Sequence, residues 1–175
     1  LELASGLGDA NKAMLAVRGM FNAQLLRANV AEAEKAANTL IRRSESSGDP
    51  RAWLQSLPAR AAHAFFKGDF EQARRDFTRV LEIYDPETDR EFAYVFGAEP
   101  GVVAELYLAW IRWFDGDGTA AQAGCKAALR TATGADHPFS LGYALCFAAS
   151  IHQCAGRPGR ALSYARRAVR LSEKY

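Results

Sequence analysis

Apolar residues recur at helical spacing along almost the whole chain, in blocks broken by four short turns: Arg27-Ala28-Asn29, Lys67-Gly68-Asp69, Asp115-Gly116-Asp117 and Ala155-Gly156-Arg157. The turn centres, 28, 68, 116 and 156, are spaced by 40, 48 and 40 residues. The stretch before each turn is apolar and the stretch after it is charged and alanine-rich, both with a helical period. Sustained period-two alternation is absent and β-branched residues are few, so no strands are expected. The pattern predicts eight helices, over residues 11–27, 30–46, 50–67, 69–84, 100–115, 118–132, 138–155 and 158–174. Pro58 lies inside the third, where it should kink the helix or delay its start to about Leu57.

The turns align further columns. Five residues past each centre stand Ala33, Ala73, Ala121 and Ala161, small enough for a partner backbone to approach. Nine past stand Ala37, Phe77, Cys125 and Ala165; twelve past, Leu40, Val80, Ala128 and Ala168; thirteen past, Ile41, Leu81, Leu129 and Val169. These offsets trace one helical stripe. The first helices repeat less cleanly, with Phe21, Ala61, Ala109 and Ala149 seven before the centre and Leu26, Phe66, Phe114 and Cys154 two before it. Pro50, Pro100 and Pro138 mark helix starts, because the first turn has no use for their missing N–H.

The expected architecture is all-α, a right-handed α-solenoid of about four helix pairs in a single domain. The repeats cover about 10–48, 49–86, 100–134 and 137–175, with an insert at 85–99. The insert is charged first and aromatic second; Phe92, Tyr94 and Phe96 should fold it back onto the stack. The opening, Leu1-Glu2-Leu3-Ala4-Ser5-Gly6-Leu7-Gly8-Asp9, reads as the end of a helix and a turn, as expected of a piece of a longer chain.

The columns resemble the tetratricopeptide repeat, most closely from Lys67-Gly68-Asp69-Phe70 through Ala73, Phe77 and Val80. Ala28 at the first turn and Arg157-Pro158 at the last depart from that pattern, and the period exceeds the usual 34 residues or so, toward that of HEAT-type pairs. Tyr84-Asp85-Pro86, Glu99-Pro100-Gly101-Val102 and His137-Pro138-Phe139-Ser140-Leu141 are similar to phrases in bacterial signalling proteins that join a class III adenylate/guanylate cyclase or similar input domain to a predicted STAND-type ATPase and a long tetratricopeptide-like region. The resemblance implies the repeat region of a regulator and places no cyclase or ATPase chemistry in this chain.

The net charge of +2 excludes a strong overall field for nucleic acid or an anionic membrane. No apolar run approaches the roughly 20 residues of a membrane span. Cys125, Cys146 and Cys154 form no even disulfide framework and lie in apolar helical context, so buried free thiols in a cytoplasmic protein are expected. Asp115-Gly116-Asp117-Gly118-Thr119 lacks the lysine of a phosphate loop. His63, His137 and His152 are well separated in sequence and the cysteines have no metal-type spacing, so neither metal nor cofactor is expected. The acidic residues of the insert lack the calcium-loop pattern. Arg160, Arg166, Arg167, Arg170 and Lys174, opposed only by Glu173, form a one-sided cluster suited to solvent, an acidic partner or the next repeat.

With no catalytic constellation, the expected function is protein–protein interaction and signal relay, not catalysis. In tetratricopeptide stacks the first helices line a concave groove. In that register the candidate binding residues are Arg18, Asn22, Phe65, Trp110, Trp113, Tyr143, Ser150 and Gln153, with Trp110 and Trp113 as the main anchors. Core packing against the insert is the competing role for both tryptophans. The alternative function is a solenoid that senses a ligand or peptide in this aromatic groove. The partner is expected to be protein, either another domain or a signalling protein, without nucleic acid or membrane. A homodimer through the N-terminal repeat is also expected, from a flank of Met14, Val17, Phe21 and Leu25 left partly bare.

Overall fold

The computed structural model describes residues 10–175. The expectation about Leu1, Leu3 and Leu7 lies outside the described residues. Among those described, the chain is helical and has no strand. Its helices are α1 (Ala10–Leu26), α2 (Val30–Ser47), α3 (Trp53–Phe66), α4 (Phe70–Ile83), α5 (Glu91–Phe96), α6 (Pro100–Phe114), α7 (Gly118–Gly134), α8 (Pro138–Cys154) and α9 (Pro158–Lys174). They fall into two compact units, up to Ile83 and from Tyr84 onward.

In the first unit α1 packs on α2 and α3, α2 on α3, and α3 on α4. In the second, α6 packs on α7 and α8, α7 on α8, and α8 on α9. Each unit is thus built from helices packed in adjacent pairs.

The four turns share one construction. Ala28, Gly68, Gly116 and Gly156 all have left-handed backbone, with φ of 56°, 82°, 88° and 65°. At each, the left-handed residue donates its N–H three residues back and the next residue donates five back. Ala28 N bonds Leu25 O and Asn29 N bonds Gln24 O; Gly68 and Asp69, Gly116 and Asp117, and Gly156 and Arg157 repeat the pair. This is a Schellman ending, which satisfies carbonyls the helix leaves open. Ala28 occupies the same conformation with a β-carbon, which disfavours it.

Past three of the turns the small column lies at the centre of the hairpins: Ala33, Ala73 and Ala121 are fully buried. So are Leu40, Val80 and Ala128. In α9 the same columns are half-buried at Ala161 and Ala168 and exposed at Ala165, because no helix covers their far side among the described residues. The column two before each turn behaves differently. Leu26, Phe66 and Phe114 are 88, 58 and 52% exposed, so this apolar repeat faces outward.

Three expectations are corrected. The third helix is not delayed to Leu57. Asp49 Oδ1 accepts the Arg51 N–H at 2.8 Å, a 3-10 turn at Pro50–Ala52 follows, and α3 starts at Trp53 with Pro58 inside it. The first-repeat flank is mostly covered: packing of α1 on α2 and α3 buries Met14, Val17 and Phe21, and only Leu25 of the four stays half-buried. The insert, where the pattern predicted no helix, contains α5.

Polar contacts fix the helix pairs. Arg60 Nε and Nη2 donate to the two Asp76 carboxylate oxygens at 2.7 Å each, joining α3 to α4. Ser44 Oγ donates to Ala52 O at 2.8 Å and lies 2.9 Å from Ser56 Oγ, holding the end of α2 on α3.

Candidate functional site

The candidate residues of the first unit have separate positions. Arg18 Nη1 donates to Gln55 O at 2.8 Å, a tie between α1 and α3, and its guanidinium lies 6.0 Å from the Phe21 ring centre. Phe65 is half-buried against the edge of Phe66 and the tilted ring of Phe70, 5.4 and 5.5 Å away. Asn22 is exposed on α1. Two of the three thus serve packing or helix pairing within their own unit.

The second unit carries an aromatic face on α6 and α8. Phe139, Tyr143 and Phe147 succeed one another at every fourth position of α8, which puts them on one side. Their rings form a ladder, with Phe139 stacked on Tyr143 at 6.4 Å and Tyr143 tilted against Phe147 at 4.7 Å. Phe147 meets Tyr107 of α6 edge-on at 5.4 Å. On α6, Trp110 stacks on the exposed Phe114 at 5.5 Å. Trp110 and Tyr143 are half-buried on the core of this unit, so each combines an anchored base with an accessible edge.

Trp113 turns elsewhere. Its ring lies over the start of α7, where a β-carbon on Gly118 would come 3.0 Å from Trp113 Cζ3. It closes the α6–α7 hairpin. Ser150 Oγ donates back to Cys146 O at 3.0 Å, and Gln153 is exposed. The structure therefore groups Trp110 and Tyr143 with Phe114, Phe139 and Phe147, which the groove register did not single out. The four-residue spacing on α8 was the signal that could have found the last two.

The three linker phrases converge at a second place. Tyr84 Oη donates to Glu99 Oε1, and the Glu99 N–H donates to Ser140 Oγ at 2.9 Å. Ser140 Oγ lies 2.9 Å from His137 Nδ1, which also accepts the Ser140 N–H at 3.3 Å, so the ring nitrogen caps α8. Tyr94 of α5 packs edge-on against His137 at 4.8 Å, and Asp89, buried, accepts the Asp85 N–H at 2.9 Å. Burial, aided by the bond to Glu99, pushes the Tyr84 phenol far above its usual range. Ser140 is fully buried and held on both sides, which suits a lock on the insert and not a nucleophile.

Other titratable groups are tuned by burial. Glu105 is raised by desolvation, against a contact from Thr131 Oγ1 at 3.4 Å. Cys125 is buried as expected and its thiol is pushed up to about 12, but Cys146 and Cys154 are exposed, correcting the expectation of buried thiols there. Among the described residues no group of three or more His, Cys, Asp or Glu is placed to hold a metal ion, and no helix is long and apolar enough to cross a membrane. No family model matches the chain, and no curated protein is similar to it.

Proposed function

We propose that this chain is a tetratricopeptide-like helical-repeat region, stacked as a solenoid, that binds protein partners and relays signals within a larger regulator. The observation that carries this reading is the aromatic face of α6 and α8. Half-buried aromatic side chains anchored on a core and open at one edge are the groups that dominate protein interfaces. The paired helices, the buried alanine column and the common Schellman turns support the repeat class. The link to cyclase or ATPase domains rests on the linker phrases alone. Nothing in the residues calls for nucleotide turnover by the chain itself.

Selection from a peptide library on the immobilised chain tests the reading. Enriched peptides should carry apolar or aromatic anchors. Trp110→Ala and Tyr143→Ala should each weaken them, by about 2 kcal/mol at a hot spot, with helical content unchanged. A selection that enriches nothing, or peptides indifferent to both substitutions, would sink it. The homodimer expected through the first repeat would have to use Leu15, Met20 and Leu26, the large apolar side chains α1 leaves exposed. Sedimentation of the Met20→Glu variant over a concentration series tests that surface.

A further inference from the structure

The near-neutral total hides a strong asymmetry. From Gly118 to Tyr175 the chain has eight lysines and arginines against two acidic residues, Asp136 and Glu173. That is a net +6 in a chain whose total is +2, so the residues before it carry −4. Part of the basic surplus faces a cleft in the second unit. One recess, of about 190 Å³, is lined by α7, α8 and α9, including Lys126, Arg160, His152 and Tyr164. A second, of about 340 Å³, shares Lys126, Leu129 and Tyr164 with it and adds Arg130 and Arg167. Neither recess has an acidic residue in its wall.

The cations are not neutralised within the fold. None of Lys126, Arg130, Arg160 and Arg167 forms an ion pair among the described residues. Glu105, which senses Arg130, is held by Thr131. Arg167 lies over the Tyr164 ring at 5.7 Å, and Tyr164 stacks parallel on His152 at 5.4 Å. His152 is only 5% exposed, and its Nδ1 has no hydrogen-bond partner. A buried polar atom left unmatched beside several cations marks a place where a ligand group would complete the bonding.

We propose that this cleft docks an acidic segment of a partner protein, with the His152 recess receiving one of its carboxylates. The spacing suits a peptide. Lys126 and Arg130 are about 6 Å apart along α7, and Arg160 and Arg167 about 10 Å along α9. An extended chain presents side chains on one face about every 7 Å. A nucleic acid fits less well, because the two rings in the cleft wall, Tyr164 and His152, are already stacked on each other and Arg167 lies over Tyr164. The inference rests on the reading of the chain as a protein-binding module, but it uses a surface separate from the aromatic ladder.

The test is fluorescence anisotropy of the whole chain with a labelled Glu-rich peptide, with an unlabelled scrambled neutral peptide and a short single-stranded DNA as competitors. Lys126→Glu and Arg160→Glu should each weaken the peptide by roughly tenfold. Arg166→Glu, which makes the same charge change outside the cleft wall, should have a much smaller effect, and Tyr143→Ala none. Arg160→Gln reads the same contact where charge reversal disturbs folding. No binding, equal loss with Arg166→Glu, or displacement by DNA below the concentration of acidic peptide needed would each overturn the proposal. Failure here with ladder-directed peptides still bound would leave the protein-binding reading standing.

Discussion

The Tyr84 ring occupies the space where residue 101 would carry a side chain: a β-carbon on Gly101 would lie 2.6 Å from Tyr84 Cδ1. Gly101 is the second residue of α6, in ordinary helical backbone, so its lack of a side chain serves this approach and not a turn. Gly101→Ala should therefore destabilise the chain by about 1–3 kcal/mol as the ring is displaced from Glu99. In a Tyr84→Ala background the same change should be neutral or stabilising, since alanine is the better helix former by about 1 kcal/mol. Chemical unfolding of the four proteins of this cycle decides it; a cost that persists without the tyrosine ring would exclude the steric explanation.

The left-handed alanine gives a test of opposite sign. Ala28→Gly should stabilise the α1–α2 turn by about 1 kcal/mol, because glycine adopts that backbone without strain. Gly68→Ala and Gly116→Ala should each lose a similar amount. Unfolding midpoints that move the same way in all three variants would contradict the shared turn.

The small column should be graded by its surroundings. Ala73→Leu and Ala121→Leu should each cost about 1–3 kcal/mol by overpacking a closed helix contact. Ala161→Leu, at a half-buried site on α9, should change the midpoint little. Equal effects at all three positions would show that burial does not set the cost.

The sign of the pH dependence at His152 follows from its surroundings. Burial first, then the charges of Arg160 and Arg157, lower its pKa. The unfolded ring takes up its proton near pH 6.5 while the native ring resists it. This histidine therefore lowers stability as pH falls through that value, until the native ring is also protonated. His152→Gln should remove this contribution. The wild-type midpoint should fall further than that of the variant between about pH 7.5 and pH 5. Parallel pH curves would refute the assignment.

Much of the helix plan was legible, and the reasons are local. Three of the four turns announced themselves through a glycine, and Pro100, Pro138 and Pro158 stand in the first turns of α6, α8 and α9. The alanine column was readable because a close helix contact admits only one size of side chain. What could not be read was set by contacts across the sequence. Glu99 looked like a helix-start residue, and only the fold brings Tyr84 and Ser140 to it. The α5 helix spans six residues, too few for a period to show. Trp113 stood in the groove register, but the bare Gly118 backbone gave its ring a nearer place to pack. Leu26, Phe66 and Phe114 repeated like core residues yet lie outside, because they fall in the last turn before the chain reverses.

The lock between Glu99 and Ser140 also bears on the order in which the chain folds. It joins residues 41 apart, whereas a helical hairpin is closed by short-range contacts through its own turn. The α6–α7 hairpin is closed by contacts near its own turn, but the Glu99 amide meets its acceptor only when α8 docks and delivers Ser140. The network is therefore expected to close late, after the main barrier has been crossed. Changes to Tyr84, Glu99 or Ser140 should then hasten unfolding while leaving the rate of folding almost untouched, making this small polar knot a determinant of how long the native second unit persists.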